Sequence, residues 1–77
     1  MENPKTKTNL SDQFSTFIKE KRTALGISQY ELSERIFGTH RQRYRISNFE
    51  AGKGSINLDT LSKIMEELNC TIIFKEN

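Results

Sequence analysis

One cysteine, one histidine and no long apolar run limit what this chain can be. The lone Cys70 excludes an intramolecular disulfide framework, and one Cys with one His cannot assemble a metal site of usual ligand count. No apolar run approaches the roughly 20 residues of a membrane span, and no signal peptide is visible at the polar N-terminus. The reading is a soluble, cytoplasmic protein in a reducing compartment, with no membrane partner. Catalysis needs a nucleophile, a base and an orienting group within reach of one another. No such set is suggested, so no catalytic residue, metal or cofactor is expected and the chain does not read as an enzyme.

At 77 residues the chain is one domain. Residues 1–10 read as a flexible tail, because Met1 to Asn9, with Pro4, Lys5 and Lys7, are too polar to bury. About 65 residues then remain to build a core, and a fold of that size hides only about 60% of its unfolded surface, which makes oligomerisation an expected contributor to stability.

What is present is placed charge. Between Glu34 and Glu50 there is no acidic residue, yet Arg35, Arg41, Arg43 and Arg45 occur there, a local +4 in a chain of net charge +2. His40 and Tyr44 are interleaved with them. A polyanion such as DNA would meet most of the useful positive potential at this segment, where Arg, Tyr, Gln and Asn can hold phosphates or read base edges. The bland alternative is a solvated basic helix face. His40 reads more as a surface or capping residue than a catalytic one.

The scaffold around that segment is helical. Ser11 can cap a first helix beginning at Asp12, with Phe14, Phe17, Ile18 and Leu25 at helical spacing and Gly26 as the stop. Ser28-Gln29-Tyr30-Glu31 is a capping box, in which the Ser28 hydroxyl accepts from the Glu31 N–H and the Glu31 carboxylate reaches back. Ile27 and Leu32 stand as its hydrophobic staple. The second helix runs through Ile36 to Gly38, which can adopt positive φ. A third helix should begin between Thr39 and Gln42 and end at Glu50, burying Ile46 and Phe49. Asn57 caps a fourth, whose stripe Leu58, Leu61, Ile64, Met65 and Leu68 reads as core. Cys70 reads as a small buried hydrophobe. From Cys70 to Phe74 the period changes and the residues turn β-branched, which predicts a strand without a partner in its own chain.

Ser28-Gln29 opening one short helix, and Ile46-Ser47-Asn48-Phe49-Glu50-Ala51-Gly52-Lys53 closing the next, resemble the helix-turn-helix of the lambda-repressor-like (Xre/Cro) family over residues 11–69. The resemblance implies an all-α domain of four to five helices that binds double-stranded DNA. It puts Gln29 at a phosphate, where a helix N-terminus also favours an anion. Arg43, Tyr44, Ser47 and Asn48 would enter the major groove, while Arg45, Lys53, Gly54 and Ser55 would hold the backbone. For Tyr44, stacking on a sugar or a thymine methyl competes with propping the helix against its neighbour. Arg41 and Gln42 complete the DNA-contacting set.

The chain departs from the family pattern in one stretch. About three residues more than the common spacing separate Ile36 from Ile46, close to one helical turn. Phe37 stands where the turn glycine is usual, and Ser33 where Ala is usual. Either the third helix gains a turn at its N-terminus or the loop bulges.

The ending Leu68-Asn69-Cys70-Thr71-Ile72-Ile73-Phe74-Lys75 resembles HipB-type antitoxins, which dimerise through such a strand. The resemblance implies that residues 70–77 form a dimerisation strand in which Thr71, Ile72, Ile73 and Phe74 pair across a two-fold axis, giving a homodimer on a palindromic operator. It further implies an autoregulating repressor of a toxin-antitoxin operon, associated with the nucleoid, with a kinase-like toxin as partner. A stand-alone prophage or mobile-element repressor is the alternative.

Overall fold

A computed structural model describes residues 10–76 as four α-helices: α1 (Leu10–Ala24), α2 (Gln29–Phe37), α3 (Arg43–Glu50) and α4 (Leu58–Glu67), with a 3₁₀ turn at His40–Gln42. The all-helical scaffold expected from the periodicity is present. The tail expected over residues 1–10 lies outside the described residues except at its end, where Leu10 already belongs to α1. Ser11 therefore sits within the first helical turn and is not its cap.

Local chemistry sets the helix ends. Ser28 Oγ accepts from the Glu31 N–H at 2.9 Å, and Asn57 Oδ1 accepts from the Thr60 N–H at 2.8 Å, so each cap satisfies a backbone donor that the first turn leaves without a partner. The reciprocal half of the capping box differs from expectation. The Glu31 carboxylate accepts from Arg35 Nη2 at 2.8 Å, one turn along its own helix, in place of the Ser28 N–H. At the other end of α2, Gly38 takes φ of 77° and returns its N–H to the Glu34 carbonyl. A side chain at that φ would be strained, which is why a glycine turns the chain there.

The core is one cluster: Ile18 from α1, Ile27 from the turn, Leu32 and Ile36 from α2, Ile46 and Phe49 from α3, and Leu61, Ile64, Met65 and Leu68 from α4 and its end. Fully burying each such side chain stabilises the fold by about 1.5–3 kcal/mol, so these ten positions carry most of the favourable term. The apolar stripes are narrower than the sequence pattern predicts. Leu58, at the first position of α4, is 80% exposed, and Phe17 and Leu25 are also exposed. Ser15 replaces them on the inward face of α1, its hydroxyl donating to the Asp12 carbonyl at 3.0 Å.

The strand expected over Cys70–Phe74 is not formed. Among the described residues there is no strand, and 70–76 has no regular secondary structure. Asn69 ends α4 at φ of 57°, while the N–H groups of Asn69 and Cys70 turn back to the carbonyls of Glu66 and Met65. Asparagine tolerates this left-handed conformation. Beyond it no strand edge is available among the described residues, and a ladder needs a partner. Cys70 is half-buried against the core, with its thiol on the Leu68 carbonyl at 3.3 Å, while Ile73 and Phe74 are 81% and 89% exposed.

Candidate nucleic-acid interface

The three extra residues between α2 and α3 form an additional 3₁₀ turn at the front of α3. Thr39 caps it, its side-chain oxygen accepting from the Arg41 N–H at 3.1 Å, and the Arg43 N–H closes on the His40 carbonyl. The helix gains a turn; the loop does not bulge. Ser33 explains how the turn is held. It is fully buried, where a bare hydroxyl would be costly, and its Oγ donates to the Thr39 carbonyl at 2.6 Å. The small polar residue in place of alanine and the longer connection are thus one structural feature.

On α3, Ile46 and Phe49 face the core. Arg43, Tyr44, Ser47 and Asn48 are all exposed, and their spacing puts them on one outward stripe. Tyr44 is 58% exposed and is not wedged against a neighbouring helix. Arg41 is exposed and Gln42 half-buried in the turn ahead, while Lys53 and Ser55 are exposed in the loop behind. A Cβ added to Gly54 would stand 3.4 Å from the Asn48 Cβ, so this loop runs close against that outward stripe.

The basic segment divides in three dimensions. Arg35 lies on α2, pairs with Glu31 at 2.8 Å and stands 3.8 Å from Glu67, so its charge is locally answered. Arg45 lies over the Phe37 ring, guanidinium to centroid 4.4 Å. Arg41, Arg43 and Lys53 form no ion pair with any described residue. Positive potential therefore concentrates at the two ends of the α3 stripe.

Glu50, present in the closing motif but given no role by it, is the group that fixes α3. Glu50 receives Arg22 Nε at 2.7 Å, Arg22 Nη2 at 2.9 Å and Gln29 Nε2 at 2.9 Å, and Arg22 Nη1 donates to the Ile27 carbonyl at 2.7 Å. One carboxylate thus joins α1, the start of α2 and the end of α3. Hydrogen bonding to Glu50 raises the Arg22 pKa above its ordinary value, against the opposing pull of burial. Glu50 stands one turn after Ile46 and beside Phe49, on the core-facing side of α3, and that position was the available signal. Gln29 does open α2 as expected, but its amide nitrogen is engaged with Glu50.

Two short helices at this geometry, the second with a polar outward stripe, coincide with a match to the helix-turn-helix family profile over residues 18–74. The chain belongs to the Xre/lambda-repressor-like helix-turn-helix family. No curated protein and no solved structure matches it. In this helix-turn-helix, α2 and α3 are the paired helices, and α1 and α4 complete the core behind them. The domain is that of DNA-binding transcription regulators. No helix among the described residues is long and apolar enough to cross a membrane.

Proposed function

We propose that the protein is a sequence-specific transcriptional repressor that binds double-stranded DNA through α3 and its two flanks. The observation that carries this is the outward stripe Arg43, Tyr44, Ser47 and Asn48, with unpaired Arg41 before it and Lys53 behind it. An α-helix fits the major groove, where Arg reads guanine bidentately and Asn reads adenine, while the flanking cations hold phosphates. Arg45 and Ser55 belong to the backbone-holding set, with Gln29, Gln42 and the N-terminus of α2 beside them. Function here is binding and not chemistry, in the cytoplasm on nucleoid DNA.

The protein acts as a homodimer on a palindromic operator. Support comes from Ile72, Ile73 and Phe74, a run of exposed apolar side chains at the end of a domain too small to stabilise itself generously. The resemblance of residues 68–75 to HipB-type antitoxins supports a role as the autoregulating antitoxin of an operon with a kinase-like toxin. A neighbouring gene with a kinase fold separates this role from that of a stand-alone prophage or mobile-element repressor.

The test is the salt dependence of duplex binding by anisotropy. If the dimer neutralises about five to eight phosphates, log K falls against log salt with a slope of roughly −4 to −7. A slope near zero refutes the proposed function.

A further inference from the structure

Tyr30, Ser33, Glu34 and Phe37 stand at i, i+3, i+4 and i+7 of α2, a single stripe pointing at the chain that follows. All four meet it. The Tyr30 ring stacks on the His40 imidazole with centroids 4.4 Å apart and planes 9° from parallel. The Ser33 hydroxyl donates to the Thr39 carbonyl at 2.6 Å, and a Glu34 carboxylate oxygen lies 3.8 Å from His40 Nδ1. Phe37 carries the Arg45 guanidinium.

The 3₁₀ turn itself has no buried residue. Short 3₁₀ segments have poor hydrogen-bond geometry, so its direction depends on the side chains that clamp it. The residue after His40 is Arg41, exposed and without an ion pair among the described residues.

We propose that His40 is a positioning residue for DNA recognition: stacked on Tyr30, it fixes the direction in which the added turn delivers Arg41 to the duplex. The inference rests on the DNA-binding role above and deepens it. A free arginine samples many rotamers, and holding its backbone in the bound direction removes part of the ordering cost of binding. His40 does this without touching DNA. Tyr30 is 45% exposed and the His40 side chain 40%, so the stack adds little to the core and its loss leaves the fold intact.

The experiment uses the full chain and two probes: a duplex enriched by the wild-type protein from a randomised pool, and a random duplex of equal length. His40→Ala, Tyr30→Ala and His40→Phe are measured in wild-type and Arg41→Ala backgrounds, with thermal unfolding recorded for each. His40→Ala and Tyr30→Ala each weaken binding to the enriched duplex by about tenfold. His40→Phe, which keeps a flat ring on Tyr30, stays within about threefold of wild type. In the Arg41→Ala background, His40→Ala changes affinity by less than about twofold, because the residue it positions is gone.

Three results overturn the proposal. His40→Ala and Tyr30→Ala could both bind as wild type; the His40→Ala loss could persist undiminished without Arg41; or His40→Phe could lose as much as His40→Ala, which would mean that the imidazole itself contacts DNA. Should His40→Ala fail to fold, Tyr30→Ala decides alone, since it breaks the same stack from α2. Failure of the wild-type chain to bind either duplex instead refutes the DNA-binding role.

Discussion

Removing the Glu50 carboxylate tests what orients α3. In Glu50→Ala the Arg22 guanidinium loses both charge-assisted hydrogen bonds and keeps one neutral acceptor, the Ile27 carbonyl at 2.7 Å. Gln29 loses its acceptor at the same time. The side chains of Arg22 and Glu50 are 12% and 3% exposed, so water cannot easily replace what is lost. Breaking a buried pair by deleting one partner costs about 3–5 kcal/mol. At about 0.05–0.15 kcal/mol per residue, a chain of this size is stable by only about 4–12 kcal/mol, so the loss should remove from about a quarter to all of that stability. Removing both charges separates strain from charge. Arg22→Met with Glu50→Leu leaves no buried ion and should fall within about 1–2 kcal/mol of wild type. Urea unfolding followed by far-UV circular dichroism reads all three proteins on one scale. With a slope near 1 kcal/mol per molar urea, typical of small domains, the single variant's midpoint should drop by about 3–5 M, or the variant should lose its folded baseline entirely. A loss below about 1 kcal/mol for Glu50→Ala, the size of an exposed pair, would refute the idea that this carboxylate holds α1, α2 and α3 together.

Arg43→Ala should cost about 1–3 kcal/mol on an enriched duplex and relax preference at one position, whereas Lys53→Ala should weaken enriched and random duplexes alike; equal losses for both variants on both probes would place α3 wrongly in the groove. Ser33→Ala should destabilise the fold by about 1–3 kcal/mol, since it strands the Thr39 carbonyl, and urea unfolding no different from wild type would show that the hydroxyl is dispensable. Deleting Thr71 to Asn77 should convert a dimer into a monomer by sedimentation at micromolar concentration, and a truncated chain that still dimerises would remove the C-terminal apolar run from that role.

The helix boundaries at Ser28, Gly38 and Asn57 were legible in the sequence because each is satisfied by atoms three or four residues away. A side-chain cap and a left-handed glycine are local events. The two faces of α3 were legible for a similar reason: Ile46 and Phe49 share one side of a 3.6-residue period, and Arg43, Tyr44, Ser47 and Asn48 share the other. Periodicity could not say how wide a stripe would be buried, so Leu58 read as core, and Phe17 and Leu25 as part of an apolar helix face, while the bundle left all three exposed. Nor could it choose between a bulge and an added turn ahead of α3. That choice depended on the Ser33 hydroxyl reaching Thr39 and on Tyr30 meeting His40, contacts that exist only once α2 has turned its outer stripe toward the following chain. The strand read into Cys70–Phe74 failed on the same ground, since β-branched residues favour an extended chain but a ladder requires a second edge. The position of α3 was decided furthest from local sequence. It hangs on Glu50, whose core-facing place one turn after Ile46 is periodic, but whose partners Gln29 and Arg22 lie 21 and 28 residues away, where no period or spacing names them.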